Sequence, residues 1–456
     1  LESTSIFAKQ ALLADGWREN CWIEITADGR IGNVATDRHD ADHSVDILLP
    51  AGANLHSHAF QRAMAGLTER RGDNPNDDFW AWRKVMYRFV DLLGPEELKI
   101  IAAQAQMEML EAGFASVGEF HYLHHQPGGT PYDELAASSV QLLNAAMETG
   151  IGYTHLPVLY MRGGMDGRPL TGGQLRFGND VERFALLVGE CAKALGNRPS
   201  DFNLGVAPHS LRAVTKAGLS EAAACASSGP IHIHIAEQTA EVADVRAAYG
   251  ARPVEWLFEN AEVDDSWCLV HATHVSPAEL KTISDGKAIA GLCPITEANL
   301  GDGVFPAQSF LTSAGRFGIG SDSNVQISLT GELRLLEYSQ RLTAQKRAVL
   351  AASSQSCGRV LFEETARGGA AAIGRDAGRI ETGALADLIS LDANNPALAG
   401  LAGDHVLDAW IFSSNDAIVG EVWAAGRHVV KDGHHIRREA ISGRFTSLMN
   451  SLRSAL

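Results

Sequence analysis

The chain has 456 residues, 45% apolar and 20% charged, which is ordinary globular composition with enough length for a large core and a subsidiary domain. A formal net charge of −17 argues against a nucleic-acid groove or an anionic membrane as the main partner, and it makes any anionic substrate depend on local arginines. Six cysteines without a C-x-x-C pair, no basic-then-apolar leader and no apolar run of the ~18–20 residues that span a bilayer predict a reduced, cytoplasmic protein rather than a secreted or membrane-spanning one.

Residues 1–48 alternate apolar and polar positions around turns, as in "CWIEITADGRIGNV", and predict short strands. The same texture returns in "GRIETGALADLISLDANNP" and "AIVGEVWAAGRHVVKDGHHI", so both ends are expected to build one small β domain. Between them eight apolar runs recur: "DILLPAGANLHSH", "FASVGEF", "GIGYTHLPVLYM", "FNLGVAPHS", "PIHIHIAE", "CLVHATH", "AIAGLCPI" and "RFGIGSDSN". Most are separated by segments with helical spacing, such as "PEELKIIAAQAQMEMLEAGF" and "DVERFALLVGECAKAL". The pattern predicts an α/β protein, a (β/α)8 TIM-like barrel with a small β-sandwich domain built from both termini. A doubly wound sheet is the rival, but no glycine-rich phosphate loop follows the first run. The expected divisions are 1–48 and 378–436 for the sandwich, 49–377 for the barrel and 437–456 for a helical extension.

In such barrels chemistry sits where strands end, because the following loops surround one mouth. The first run ends in His56 and His58, two imidazoles on one side of a strand. The second ends in Glu119, with His121 and Tyr122 beyond; the fourth in His209, then Ser210 and Arg212. The fifth ends in His234 and Glu237, the sixth in His271 with His274 behind, and the eighth in Asp322. Each alone has a plain alternative: a strand histidine is more often a hydrogen-bonded core residue, and Asp322 could cap a helix. Gathered at one set of strand ends, three imidazoles and a carboxylate make a zinc site with a position left for water. Within "IHIHIAE" His234 lies nearer the strand end and is taken as the ligand, with His232 deeper, although spacing alone leaves both open.

His-Ser-His on the first run, His-x-x-Glu on the fifth, His on the sixth and Ser-Asp on the eighth resemble the amidohydrolase superfamily over nearly the whole chain. Members with two metals usually carry a lysine on the fourth strand; "NLGVAPHS" has none, so the resemblance implies one divalent ion, zinc or iron, held by His56, His58, His234 and Asp322. Glu237 is then implied as proton shuttle, with Asp322 and His271 hydrogen-bonding the attacking water. "NLHSHAFQRAMAGLTER", "FWAWRKVMY", "CPITEANLGDGVFP" and "GSDSNVQISLTGELRLLEYSQRL" resemble the formimidoylglutamate deiminase branch, which hydrolyses a C=N bond of histidine degradation and releases ammonia. "CPITEANLGDG" stands where purine deaminases carry "CPTSN"-like wording, and Asn324, where some relatives have histidine, receives no role.

That resemblance implies a small dicarboxylate substrate. Arg83 and Arg212 are the candidate bidentate donors, with solvated surface arginines as the plain alternative. Gln61 and Tyr122 are implied as neutral partners, and His209 as either a substrate contact or a loop anchor. A homodimer is expected, with no nucleic-acid or membrane partner. The alternatives are a guanine, cytosine or adenosine-derivative deaminase, whose pocket would stack a base, and a non-catalytic barrel, which the complete ligand set and Glu237 oppose.

Overall fold

A computed structural model describes residues 2–36, 38–69 and 86–455. The N-terminal strands are β1 (Thr4–Leu13), β2 (Gly16–Ile25), β3 (Ile31–Thr36) and β4 (His43–Pro50). They join the later strands β14 (Leu388–Leu391), β15 (Val419–Ala424), β16 (Arg427–Lys431) and β17 (His434–His435) in one sheet, ordered β17-β16-β15-β14-β4-β1-β2-β3. All its pairings are antiparallel except β1 with β4. Ile6, Ala8, Cys21, Ile23, Leu48, Leu388 and Trp423 form a core of their own, the buried half of the alternating pattern. The Asp28-Gly29 turn is pressed against the far end of the chain. Gly29 has φ +79°, and a Cβ there would stand 2.3 Å from the Ala425 carbonyl oxygen, so only glycine fits.

The remaining strands fall in the eight expected apolar runs, except that the first run divides, residues 46–50 belonging to β4 and only its second half to the barrel: β5 (Gly52–Ser57), β6 (Phe114–His121), β7 (Gly152–Leu159), the short pair β8 (Asn203–Leu204) and β9 (Ala207–Pro208), β10 (Ile231–Ile235), β11 (Trp267–His271), β12 (Ile289–Leu292) and β13 (Arg316–Ile319). They pair in parallel in the order β10-β11-β12-β13-β5-β6-β7-β8. Bridges from Val206 to Ile231 and from Ser210 to His234 return the sheet to β10 and close the barrel. Every residue of β5, β6, β7, β10, β11 and β12 is buried, as expected of strands covered on both faces.

The intervening segments are helical for readable reasons. Pro95–Glu111 opens with proline at its first turn, the Gly94 N–H donates to Glu97, and Glu96 and Glu97 face the positive end of the helix dipole. Val181–Leu195 is capped by Asp180, which accepts from the Arg183 N–H, and it buries Phe184, Leu187, Val188 and Cys191 at helical spacing. The helix Cys357–Ala372 lies against β5 and β13, where a Cβ on Gly368 would stand 1.9 Å from the Phe317 carbonyl oxygen. The C-terminal helix Arg438–Ala455 places Met449 and Leu452 in an apolar cluster with Phe60, Met64, Met86 and Phe89, behind the mouth of the barrel.

Candidate metal centre

The end of β5 meets the end of β13. The Asp322 N–H donates to the His56 carbonyl oxygen over 3.0 Å, and the His58 N–H donates to the Asp322 carbonyl oxygen over 2.9 Å. This clasp brings the Asp322 carboxylate to the paired imidazoles: its Oδ1 lies 3.3 Å from His56 Nε2 and 3.1 Å from His58 Nε2. His56 Nε2 is 3.3 Å from His58 Nε2 and 3.1 Å from His234 Nε2. The four donor atoms lie within 4.8 Å of one another, all on buried residues.

Their chemistry fits a metal ion. Burial pushes the His56 imidazolium down to about 3 and, with the neighbouring His56 and His209, holds His234 well below the usual histidine range, so both rings are neutral. The His58 Nδ1–H donates to the Phe120 carbonyl oxygen over 3.0 Å, which leaves the Nε2 lone pair facing the cluster. Burial opposes ionisation of Asp322, but the adjoining His56 and His58 imidazoles outweigh it and keep the carboxylate well below its usual range. Lone pairs meeting at these separations repel unless a cation sits between them. Ligands about 2.0–2.1 Å from a tetrahedral zinc stand about 3.3 Å apart, the spacing seen.

Glu237 and His271 stand over this cluster. His271 Nε2 is 3.9 Å from Glu237 Oε1 and 4.0 Å from Asp322 Oδ2. Burial would lower the His271 pKa, but Glu237, a hydrogen bond with Glu297 and the Asp322 charge raise it to about 10; a dication held by the cluster would oppose that rise. Glu241 accepts the N–H groups of Ala236 and Glu237 over 3.2 and 3.0 Å and thereby sets the turn that carries Glu237. Ala236, His271, Ala272 and Asp322 all have positive φ, a backbone cost concentrated at the strand ends that present these groups.

A cavity opens onto the cluster, and Gln61, Tyr122, His209 and Arg212 all line it. The Gln61 Nε2–H donates to Tyr122 Oη over 2.9 Å, and His209 Nδ1 is 3.0 Å from Ser210 Oγ. Arg212 Nε is buried with no hydrogen-bond partner among the described residues. Arg83 lies outside the described residues. His232 takes no part in the cluster: its Nε2–H donates to the Ala372 carbonyl oxygen over 2.7 Å. His274 likewise donates to the Asp302 carbonyl oxygen over 2.7 Å.

Three residues with no predicted role support the site. Asn324 donates to Ser57 Oγ and the His58 carbonyl oxygen, both at 3.1 Å, and accepts from Ser321 Oγ at 2.6 Å, so it ties the clasp together from beneath. Glu119, its carboxyl pushed up to about 7 by burial, accepts the Ala59 N–H over 2.7 Å and anchors the loop after His58. Glu297 touches His271 over 3.3 Å. Glu119 stands out in the sequence only as the end of the second run and Asn324 only as a departure from relatives; an amide or carboxylate serving as scaffold has no periodic signature that would give it this role.

Comparison with known proteins agrees with the architecture. The family model "Amidohydrolase family" matches residues 47–429, and "Formimidoylglutamate deiminase HutF, N-terminal domain" matches residues 3–42. A formimidoylglutamate deiminase of Pseudomonas aeruginosa is 47% identical over 453 residues, 98% of this chain and 99% of that protein. A 5-methylthioadenosine/S-adenosylhomocysteine deaminase of Natronomonas pharaonis is 26% identical, over 82% of this chain and 81% of that protein. Among solved structures, an amidohydrolase from Brucella melitensis superposes with a TM-score of 0.94 at 47% identity, covering 98% of this chain and 99% of that one. An adenosine deaminase from Xanthomonas campestris with bound zinc shares the fold, with a TM-score of 0.83 at 21% identity over 99% and 98% of the two chains. Agreement that runs through the barrel and back into the second sheet has one reading: the chain belongs to the amidohydrolase family.

Proposed function

We propose that this protein hydrolyses N-formimidoyl-L-glutamate to N-formyl-L-glutamate and ammonia, as a step of histidine degradation. The observation that carries the reading is the cluster of three imidazoles and a carboxylate beneath Glu237 and His271, in a chain 47% identical over almost its full length to a protein named for that reaction. His56, His58, His234 and Asp322 hold one ion, which we take to be zinc because neutral imidazoles and one carboxylate suit it. A zinc ion held there would act as a Lewis acid that lowers the pKa of a water towards ~7, so that Glu237 can take its proton near neutral pH.

The side chains do the rest. Asp322 and His271 hold the attacking water by hydrogen bonds and aim it at the formimidoyl carbon. Glu237 carries one proton from that water to the nitrogen of the C=N group as the water oxygen bonds to the carbon, and then moves the second from the new hydroxyl to the same nitrogen, so that the C–N bond breaks with ammonia leaving rather than an amide anion and the oxygen stays as the formyl C=O. Arg212, with its unpaired buried Nε, and Arg83 pair with the two substrate carboxylates, while Gln61, Tyr122 and His209 supply neutral contacts. The domain divisions at 48/49, 377/378 and 436/437, a cytoplasmic location and a homodimer belong to the same proposal. Among the described residues no helix is long and apolar enough to cross a membrane.

The test is ammonia release by metal-replete protein from N-formimidoyl-L-glutamate, guanine, cytosine and adenosine in parallel. Turnover of the first alone is expected, with one metal ion per chain. Release from a base and none from the formimidoyl compound would overturn the reading.

A further inference from the structure

The segment "CPITEANLGDG" departs from the wording of the purine deaminases, and the proposed reaction leaves it without a task. It begins at the end of β12 and turns at once into the helix Pro294–Leu300, beside the strand that carries His271. Resting on the proposed function, we infer that Glu297 is a positioning residue for the reaction: its carboxylate fixes the ring and the tautomer of His271, so that Nε2 faces Glu237 and Asp322.

Glu297 is buried, and one of its oxygens has two partners. Oε1 accepts the Cys293 N–H over 2.9 Å and lies 3.3 Å from His271 Nδ1. The first contact pins the carboxylate to the start of its own helix; the second reaches a residue 26 positions earlier on the neighbouring strand. That helix is itself fixed. The Ile295 N–H donates to Glu332 Oε2 over 2.8 Å, and Thr296 Oγ1 meets Ser323 Oγ at 2.9 Å, next to Asp322. Glu297 thus acts from a rigid support.

His271 needs such a partner. Its backbone is strained, with φ +69° followed by +49° at Ala272. Rotation of an imidazole about its last torsion is broad and roughly two-fold, so packing alone does not tell nitrogen from carbon. The gaps of 3.9 and 4.0 Å to Glu237 and Asp322 exceed a hydrogen bond, so neither orients the ring. Glu297 is its one hydrogen-bond partner among the described residues. A carboxylate can only accept, so His271 Nδ1 carries the proton, and Nε2 is the atom turned to the reacting water. His271, Cys293 and Glu297 also form a compact donor group, but two N–H groups sharing Oε1 account for that closeness without a second ion.

The test uses the metal-replete enzyme with formimidoylglutamate, metal analysis and thermal melting. Glu297→Ala is expected to lower kcat by about 100-fold, the upper range for loss of a residue that orients a catalytic imidazole, with KM within about threefold and one metal ion retained. Glu297→Gln keeps an acceptor oxygen and should recover most of this, to within about tenfold of wild type. Because the effect runs through His271, adding either substitution to His271→Asn should change kcat by less than about twofold. A kcat for Glu297→Ala within threefold of wild type, an undiminished loss in the His271→Asn background, or loss of the metal overturns the inference. Should Glu297→Ala fail to fold, the cycle with Glu297→Gln decides in the same way. An inactive wild-type chain would instead defeat the proposed function, whereas an active wild type with unaffected Glu297 variants defeats the positioning role alone.

Discussion

Among the described residues, Glu237 lines the cavity with a carboxylate that neither joins the donor cluster nor caps a turn. Asp322 Oδ1 is engaged by two imidazoles, Glu241 by two N–H groups and Glu119 by the Ala59 N–H, whereas among the described residues the Glu237 carboxylate has no hydrogen bond and a long 3.9 Å approach to His271. A carboxylate left this free beside an open cavity is available to take a proton and give it back. Glu237→Gln preserves volume and leaves His56, His58, His234 and Asp322 in place, so the variant should hold one metal ion per chain. Its kcat should fall by about 10³-fold, within the ~10²–10⁴ that general acid–base catalysis contributes. Metal analysis and an ammonia assay on one preparation check both halves, and a variant with wild-type turnover would remove Glu237 from the mechanism.

At the scale of the element, β10 shows how much a strand pattern can say. His232 and His234 share a face, and their spacing could not separate them; depth in the barrel does, because His232 reaches the Ala372 carbonyl oxygen and His234 the cluster. His234→Ala should lose the metal and all turnover. His232→Ala should keep both and lose about 1–3 kcal/mol of stability, because it leaves a buried carbonyl without its donor; metal content and a urea melt of the two variants make the contrast, and metal loss from His232→Ala would reverse the assignment. The order of barrel strands was legible because buried parallel strands leave continuous apolar runs, and the mouth was legible because polar residues end those runs. The fourth run was only partly so. "FNLGVAPHS" reads as one strand, yet it pairs as two short pieces, β8 and β9, on either side of Gly205 and Val206. A Cβ at Gly205 would stand 2.3 Å from the Pro230 carbonyl oxygen, and Pro208 has no N–H for a ladder. Glu297 and Asn324 were not legible, because what they do depends on partners brought close only by barrel closure.

On the scale of the whole molecule, buried charges rivet the second sheet to the barrel. Asp201, just before β8, pairs with Arg427 of β16 at 2.7 Å and with Arg375 at 3.0 Å, and Arg375 grips Asp387, beside β14, at 2.5 Å. Two cations and two anions balance, and the remaining donors are used: the Arg375 Nη1–H reaches the Asp201 carbonyl oxygen and the Arg427 Nε–H the Gly150 carbonyl oxygen. Burial would raise the Asp201 pKa, but the Arg427 hydrogen bond and the Arg375 charge outweigh it and lower it. A depressed carboxylate stabilises the fold above its unfolded pKa, about 3.9, and that contribution is lost as pH falls through the lower folded value. Histidines act earlier. Burial pushes His124 and His155 down to about 3, so each stays neutral when folded but gains a proton when unfolded below about 6.5. Their contribution is complete above pH ~6.5 and shrinks steadily from there towards 3. The urea midpoint should therefore decline from about pH 6.5 downward, before any carboxylate of ordinary pKa is protonated. Asp201→Asn should cost about 3–5 kcal/mol at pH 7, because it leaves Arg375 buried with one carboxylate fewer. Since the variant lacks the group whose protonation harms the wild type, the gap between the two should narrow below about pH 4. Urea titrations of both proteins from pH 7.5 to 3.5 measure this: no gap at pH 7 would show that the Asp201 pairing contributes nothing to holding sheet and barrel together, and a gap of undiminished size at the acid end would show that its contribution does not depend on the Asp201 charge.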